Sequence, residues 1–135
     1  MRRKIARHRS ERPAFWETHE EPLNLENVIQ TRGTQADMLI IDCLTLYVAN
    51  LMQARRSRDS ILQDLNKVTE AIRLAKSSMI IVSNEVGCGV VPAFRSGRLY
   101  RDMLGQLNQQ VAEIADRVVL MVAGVPLTVK DTTGS

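Results

Sequence analysis

The sequence predicts an α/β fold with a mostly parallel sheet and helices on both faces. Three short apolar runs carry the prediction: Met38-Leu39-Ile40-Ile41, Met79-Ile80-Ile81-Val82 and Val118-Val119-Leu120-Met121-Val122. Each is continuous rather than alternating, the pattern of strands buried on both sides. The intervals between them have helical periodicity. Strands joined across helices need long crossovers and therefore pair in parallel.

Taken in chain order, Cys43 to Gln53 carries Leu44, Val48 and Leu51 and opens a helix directly after the first strand. From Asp59 to Lys76, Ile61, Leu65, Val68, Ile72 and Ala75 advance by four, three, four and three, an amphipathic helix that Asp59 or Ser60 is placed to cap. From Arg98 to Asp116, Leu99, Met103, Leu107, Val111 and Ile114 do the same. Thr31 to Ala36 and Ala54 to Arg58 read as surface connections. The 135 residues suit one domain with a real core and are too few for two.

Composition narrows the class further. The chain is 44% hydrophobic and 24% charged, as soluble globular domains are, and no apolar run approaches the roughly 20 residues a membrane helix needs. Arg2, Arg3 and Lys4 lead into Ile5-Ala6-Arg7-His8-Arg9 rather than into the apolar core of a signal peptide. Cys43 and Cys88 have no metal-type spacing. A cytoplasmic chain with free thiols is the expectation. Six of the first twelve residues are Arg or Lys, a site for a polyanion or a solvated basic face. A small basic nucleic-acid-binding protein is a further reading, although no recognisable reading motif accompanies the charge.

In open parallel sheets, ligands sit beyond the carboxyl ends of the strands. Asp42 ends the first run and Ser83-Asn84-Glu85-Val86-Gly87 follows the second. An acid in Asp42's position holds Mg²⁺ beside nucleotide phosphates or caps the following helix. No G-x-x-x-x-G-K-S/T phosphate loop occurs, and Gly87-Cys88-Gly89 reads only as a short turn. His8 stands among Arg7, Arg9 and Arg12, ahead of Pro13, Phe15 and Trp16. An imidazole titrates near ~6.5, so its neutral, nucleophilic form is well populated at neutral pH. Neighbouring guanidiniums suit the charge of a phosphoryl transition state. The alternative is an ordinary surface histidine, and His19 has less around it still.

Four blocks in order now bear on identity. Lys4 to Pro22 reads R/K-I-x-x-H-x-x-x-R-P-x-x-W-x-T-x-E-x-P; Met38 to Asn50 is a strand ending in an acid; Ser83 to Pro92 reads S/T-N-E-V-G-x-G-I/V-V-P; Arg101 to Val118 reads R-D-x-x-G-x-x-N-Q-x-L/V-A-x-x-A-D-x-V. Together they resemble the bifunctional adenosylcobinamide kinase/adenosylcobinamide-phosphate guanylyltransferase family of cobalamin biosynthesis.

The resemblance implies a P-loop NTPase-like (RecA-like) fold. It implies phosphorylation of adenosylcobinamide with ATP or GTP, then transfer of GMP from GTP to adenosylcobinamide phosphate through a guanylylated histidine. It puts that histidine at His8 and nucleotide contacts at Arg9, Ser10, Glu11, Arg12, Glu20 and Asp42, with Asp42 toward Mg²⁺. It further implies a homotrimer, with neither nucleic acid nor a membrane span. Relatives commonly have Asp-Gly where this chain has Ser10-Glu11. The family's opening strand and phosphate loop have no counterpart here, so the domain is expected to be N-terminally incomplete. Phosphorylation is then not expected of this chain alone, guanylyl transfer is weakened too because the same loop grips GTP phosphates in the family, and a catalytically inactive remnant or binding module is the alternative.

Overall fold

A computed structural model describes residues 13–54 and 57–134. Its elements in order are α1 (Leu25–Arg32), β1 (Met38–Asp42), α2 (Leu44–Gln53), α3 (Arg58–Leu74), β2 (Ser78–Val82), α4 (Arg95–Ile114), β3 (Arg117–Val122) and β4 (Val125–Asp131). The α/β class, the first two strands and the three long helices match the sequence reading. The third run is a strand as expected, but its pairing, the second face of the sheet and α1 differ from that reading.

β1 and β2 are parallel, in register from Met38 opposite Ser78 to Asp42 opposite Val82. α2, α3 and α4 lie against one face of this pair. The apolar stripes expected of them supply most of the core: Leu44, Tyr47, Val48 and Leu51 from α2, Ile61, Leu65 and Val68 from α3, and Met103, Leu104, Leu107 and Val111 from α4. Strand residues alternate in direction. Leu39, Ile41, Met79 and Ile81 therefore face the helices, with Ile41 buried and Met79 and Ile81 packed against the core.

The other face carries Met38 at 53%, Ile40 at 42%, Ile80 at 49% and Val82 at 43% exposure. Helices on both faces were expected. Among the described residues, only one face is covered. A continuous apolar run shows that both sides of a strand can be buried, but not that this chain supplies both covers.

The third run is also corrected. β3 does not join the parallel pair; it forms an antiparallel hairpin with β4, closing at Val122 opposite Val125. Ala123 and Gly124 have φ of 50° and 79°, both positive as a type I′ turn requires. A shift between Val118 and Val119 leaves Val129 bulged. Pro126, which has no N–H to donate, is tolerated because β4 is an edge strand. The hairpin is tied back by Lys130, whose Nζ donates to the carbonyls of Ala112 at 3.0 Å and Glu113 at 2.8 Å. These oxygens lie at the end of α4, where carbonyls lack helical donors and a cation is favoured.

Local chemistry also moves two expected boundaries. α3 is capped by Ser57, whose Oγ accepts from the Ser60 backbone N at 3.2 Å, rather than by Asp59 or Ser60. Asp59 lies inside the first turn, where its charge suits the helix dipole. Thr31 and Arg32, expected in a connection, complete α1.

Glu21 supplies the start of α1. Its Oε1 accepts from the backbone N of Leu23 and of Asn24, both at 2.9 Å. These bonds hold its carboxyl below the usual glutamate range. A depressed folded-state value adds stability above the unfolded pKa, about 4.3, and loses it as pH falls through the lower folded value. Glu21→Gln is accordingly expected to lower the unfolding midpoint by about 1–3 °C at neutral pH. The difference from wild type should shrink below about pH 4; thermal melts across pH will measure it.

Gly33 joins three elements. Its carbonyl accepts from the backbone N of Lys76 and of Ser77, both at 3.1 Å, and from Ser77 Oγ at 3.0 Å. A Cβ at this position would lie 2.4 Å from the Ile29 carbonyl oxygen and 3.1 Å from Ala75 Cβ. The first neighbour is backbone and cannot swing away. Gly33→Ala is expected to cost about 1–3 kcal/mol in chemical denaturation, whereas Gly105→Ala, with nothing within 4 Å of its added carbon, should cost nothing and gain helix propensity.

Candidate active site

The register of β1 and β2 brings their carboxyl ends side by side, so Asp42 and Val82 are neighbours and both segments leave in one direction. From Asp42 the chain enters α2 almost at once, with Cys43 in the cap position. From Val82 it enters the irregular stretch 83–94. With no strand partner beyond Val82, this stretch must satisfy its backbone polar groups elsewhere.

Side chains from two helices do so. Thr45 Oγ1, in the first turn of α2, accepts from the Asn84 backbone N at 3.1 Å. On α4, Asn108 Nδ2 donates to the Asn84 carbonyl at 3.0 Å, and Asn108 Oδ1 accepts from Ser83 Oγ at 2.6 Å. Tyr100, also on α4, donates its hydroxyl to the Thr45 carbonyl at 3.2 Å. Burial, and then Cys43 alongside, raise the Tyr100 pKa, so the phenol stays protonated as a donor. Glu85 turns back on its own loop, where Oε1 accepts from the Gly87 N at 2.6 Å.

The result is a polar cluster at the strand ends in which backbone is pinned and some side chains are left over. Asp42 shares its parity with Met38 and Ile40 and is exposed on the open-face side. It is not the cap of α2. Among the described residues its carboxylate makes no hydrogen bond or ion pair, and neither does the side-chain amide of Asn84.

The expected site residues divide accordingly. His8, Arg9, Ser10, Glu11 and Arg12 lie outside the described residues. Glu20 is exposed, in the stretch ahead of α1, which Glu17 ties to Arg32 at 3.8 Å. His19 Nε2 sits 3.2 Å from Glu17 Oε2. Asp42 stands where the strand pattern put it. Asn84 and Glu85, read as either site-orienting or turn-forming, form a turn through Glu85 and contribute the pinned peptide through Asn84.

Sequence reasoning gave no role to Thr45, Tyr100 or Asn108. A signal existed for Asn108: it is the N of the R-D-x-x-G-x-x-N-Q block and a short amide side chain at the rim of an apolar stripe, after Leu107. Among the described residues no three His, Cys, Asp or Glu side chains gather as a metal site. Mg²⁺ arriving with a nucleotide keeps several waters and takes one or two protein carboxylates. The exposed carboxylate of Asp42 fits that requirement.

Comparison with known proteins places the chain. The family model described as cobinamide kinase/cobinamide phosphate guanyltransferase matches residues 1–129. The chain belongs to this family. It is 39% identical to the bifunctional adenosylcobalamin biosynthesis protein CobP of Pseudomonas aeruginosa, over 96% of this chain and 75% of that protein. It is also 30% identical to the bifunctional adenosylcobalamin biosynthesis protein CobU of Salmonella typhimurium and 29% identical to that of Escherichia coli, each over 96% of this chain and 78% of the relative. The family is one of transferases, and its named members act in cobalamin biosynthesis. Among the described residues no helix is long and apolar enough to cross a membrane.

Proposed function

We propose that this chain is a guanylyltransferase of cobalamin nucleotide-loop assembly, taking GMP from GTP onto His8 and passing it to adenosylcobinamide phosphate. The observation that carries the reading is the family match over residues 1–129, which includes the His8 block. The strand-end cluster supports it by its place, where open α/β sheets bind ligands.

In the first step a neutral imidazole nitrogen of His8 attacks the α-phosphorus of GTP. A P–N bond forms, the bond to the bridging oxygen breaks, and pyrophosphate leaves. The imidazolium so formed loses its one remaining N–H proton, from the other ring nitrogen, to solvent, leaving an uncharged ring that bears the anionic phosphoramidate. In the second step a phosphate oxygen of adenosylcobinamide phosphate attacks the same phosphorus, the P–N bond breaks, and the imidazole is reprotonated. Two displacements replace one difficult transfer.

Arg9 and Arg12 suit the charge on the phosphate oxygens, and Ser10, Glu11 and Glu20 complete the nucleotide contacts. Asp42 would hold Mg²⁺, which neutralises the departing pyrophosphate. No phosphate loop of the G-x-x-x-x-G-K-S/T type occurs within these 135 residues. We therefore propose guanylyl transfer for them rather than phosphorylation of cobinamide by ATP or GTP, since phosphoryl transfer rests on such a loop. The reading includes the P-loop NTPase-like arrangement of the sheet and a homotrimer, for which the open apolar face offers surface.

The test is incubation of the chain with Mg²⁺ and GTP labelled at the α-phosphate. Protein-bound label that is released by acid and resists alkali is expected. GTP labelled at the γ-phosphate should leave none. Absence of α-label sinks the reading for this chain.

A further inference from the structure

Asn108 is the residue whose contacts the proposed chemistry leaves unexplained. Its neighbours on α4, Met103, Leu104, Leu107 and Val111, are buried in the core, and packing alone accounts for them. Asn108 is half-buried at the seam, and both halves of its amide are engaged across 24 and 25 residues of sequence, at the Asn84 carbonyl and at Ser83 Oγ. Thr45, on α2, holds the same residue by accepting from the Asn84 N–H.

Both backbone polar groups of Asn84 are thus fixed, one from α2 and one from α4. Apolar packing is non-directional and cannot set how a loop is rotated about its axis. Paired hydrogen bonds from two rigid helices can.

We propose that Asn108 is a positioning residue for the nucleotide site: it sets the orientation in which the Asn84–Glu85 stretch is presented beside Asp42. This role rests on the functional reading above. Asn108 touches no reacting atom, so its loss should weaken nucleotide binding in ground and transition states alike. That raises KM and leaves the rate at saturation in place.

The experiment uses the full chain as wild type, Asn108→Ala, Asn108→Asp and Gln110→Ala. The Asp variant has the same shape and still accepts from Ser83, but loses the donor to Asn84. Gln110 lies on the same helix and bonds Thr69 and Asn66 instead, so it controls for loss of any polar seam contact. Mg²⁺–GTP affinity is measured by calorimetry, guanylylation by α-label, the fold by thermal melting, and the loop by amide hydrogen exchange at Asn84 and Glu85.

Both Asn108 variants are expected to bind GTP about tenfold more weakly and to exchange these two amides about tenfold faster. Midpoints and the labelling rate at saturating GTP should stay near wild type, and Gln110→Ala should match wild type throughout. If wild type binds and labels but Asn108→Asp binds equally well, the positioning role is overturned while the function stands. The role also falls if affinity drops only together with the melting midpoint, which marks a purely structural part. If wild type neither binds nor labels, the functional reading fails and the role at a nucleotide site fails with it, whatever the exchange data show.

Discussion

Replacing His8 by Ala is expected to reduce acid-labile labelling from α-labelled GTP by roughly 10³-fold or more. The alanine side chain has no lone pair to attack phosphorus. The chemistry of the trapped bond gives the measurement its specificity. A phosphoramidate is lost in acid and kept in alkali, whereas a serine or threonine ester behaves in the opposite sense. His19→Ala is the matched control, since His19 is exposed against Glu17 and should leave labelling intact. Equal labelling of wild type and His8→Ala would remove the histidine from the mechanism.

Truncating Leu107 should be the most damaging change to the fold. Leu107 is fully buried, on the face of α4 that packs toward α2 and α3. Leu→Ala at such a site loses the transfer free energy of the removed carbons and leaves a cavity, together about 2–5 kcal/mol. For a chain of this size that is a fall in melting midpoint on the order of 8–20 °C. Met121→Ala is the comparison: Met121 is 60% exposed on β3, and the same kind of truncation should shift the midpoint by about 2 °C or less. Equal losses at the two positions would mean that the core does not lie where the structure puts it.

These two positions also show what sequence could and could not say. Leu107 was readable because Leu99, Met103, Leu107, Val111 and Ile114 keep one helical face, and burial follows from periodicity alone. Met121 was misread as part of a doubly buried strand, because a run of apolar residues records what a strand could bury, not what arrives to cover it. The hairpin had a local signal in Ala123-Gly124, weaker than the Asn-Gly pair that usually marks a type I′ turn. α1 escaped notice because only Ile29 of its eight residues is buried, too little to impose a period.

At the site, Asp42 was legible from a strand pattern. The His8 block was legible only as motif order, since nothing in a run of basic residues distinguishes a nucleophile from a solvated histidine. Thr45, Tyr100 and Asn108 were not legible as a group. Their meeting depends on the parallel register of β1 and β2 and on the approach of α4, and neither is written in any local stretch of residues.

The uneven cover of β1 and β2 divides the consequences of mutation between two observables. Changes at Leu39, Ile41, Met79 or Ile81 reach the helical layer and register as lost folding free energy. Changes at Met38, Ile40, Ile80 or Val82 meet no packed neighbour from the helical layer, and introducing a lysine there removes sticky surface without opening a cavity. Alternate residues of the same five-residue strands are therefore read by different measurements: one set by thermal unfolding, the other by the concentration at which the protein associates.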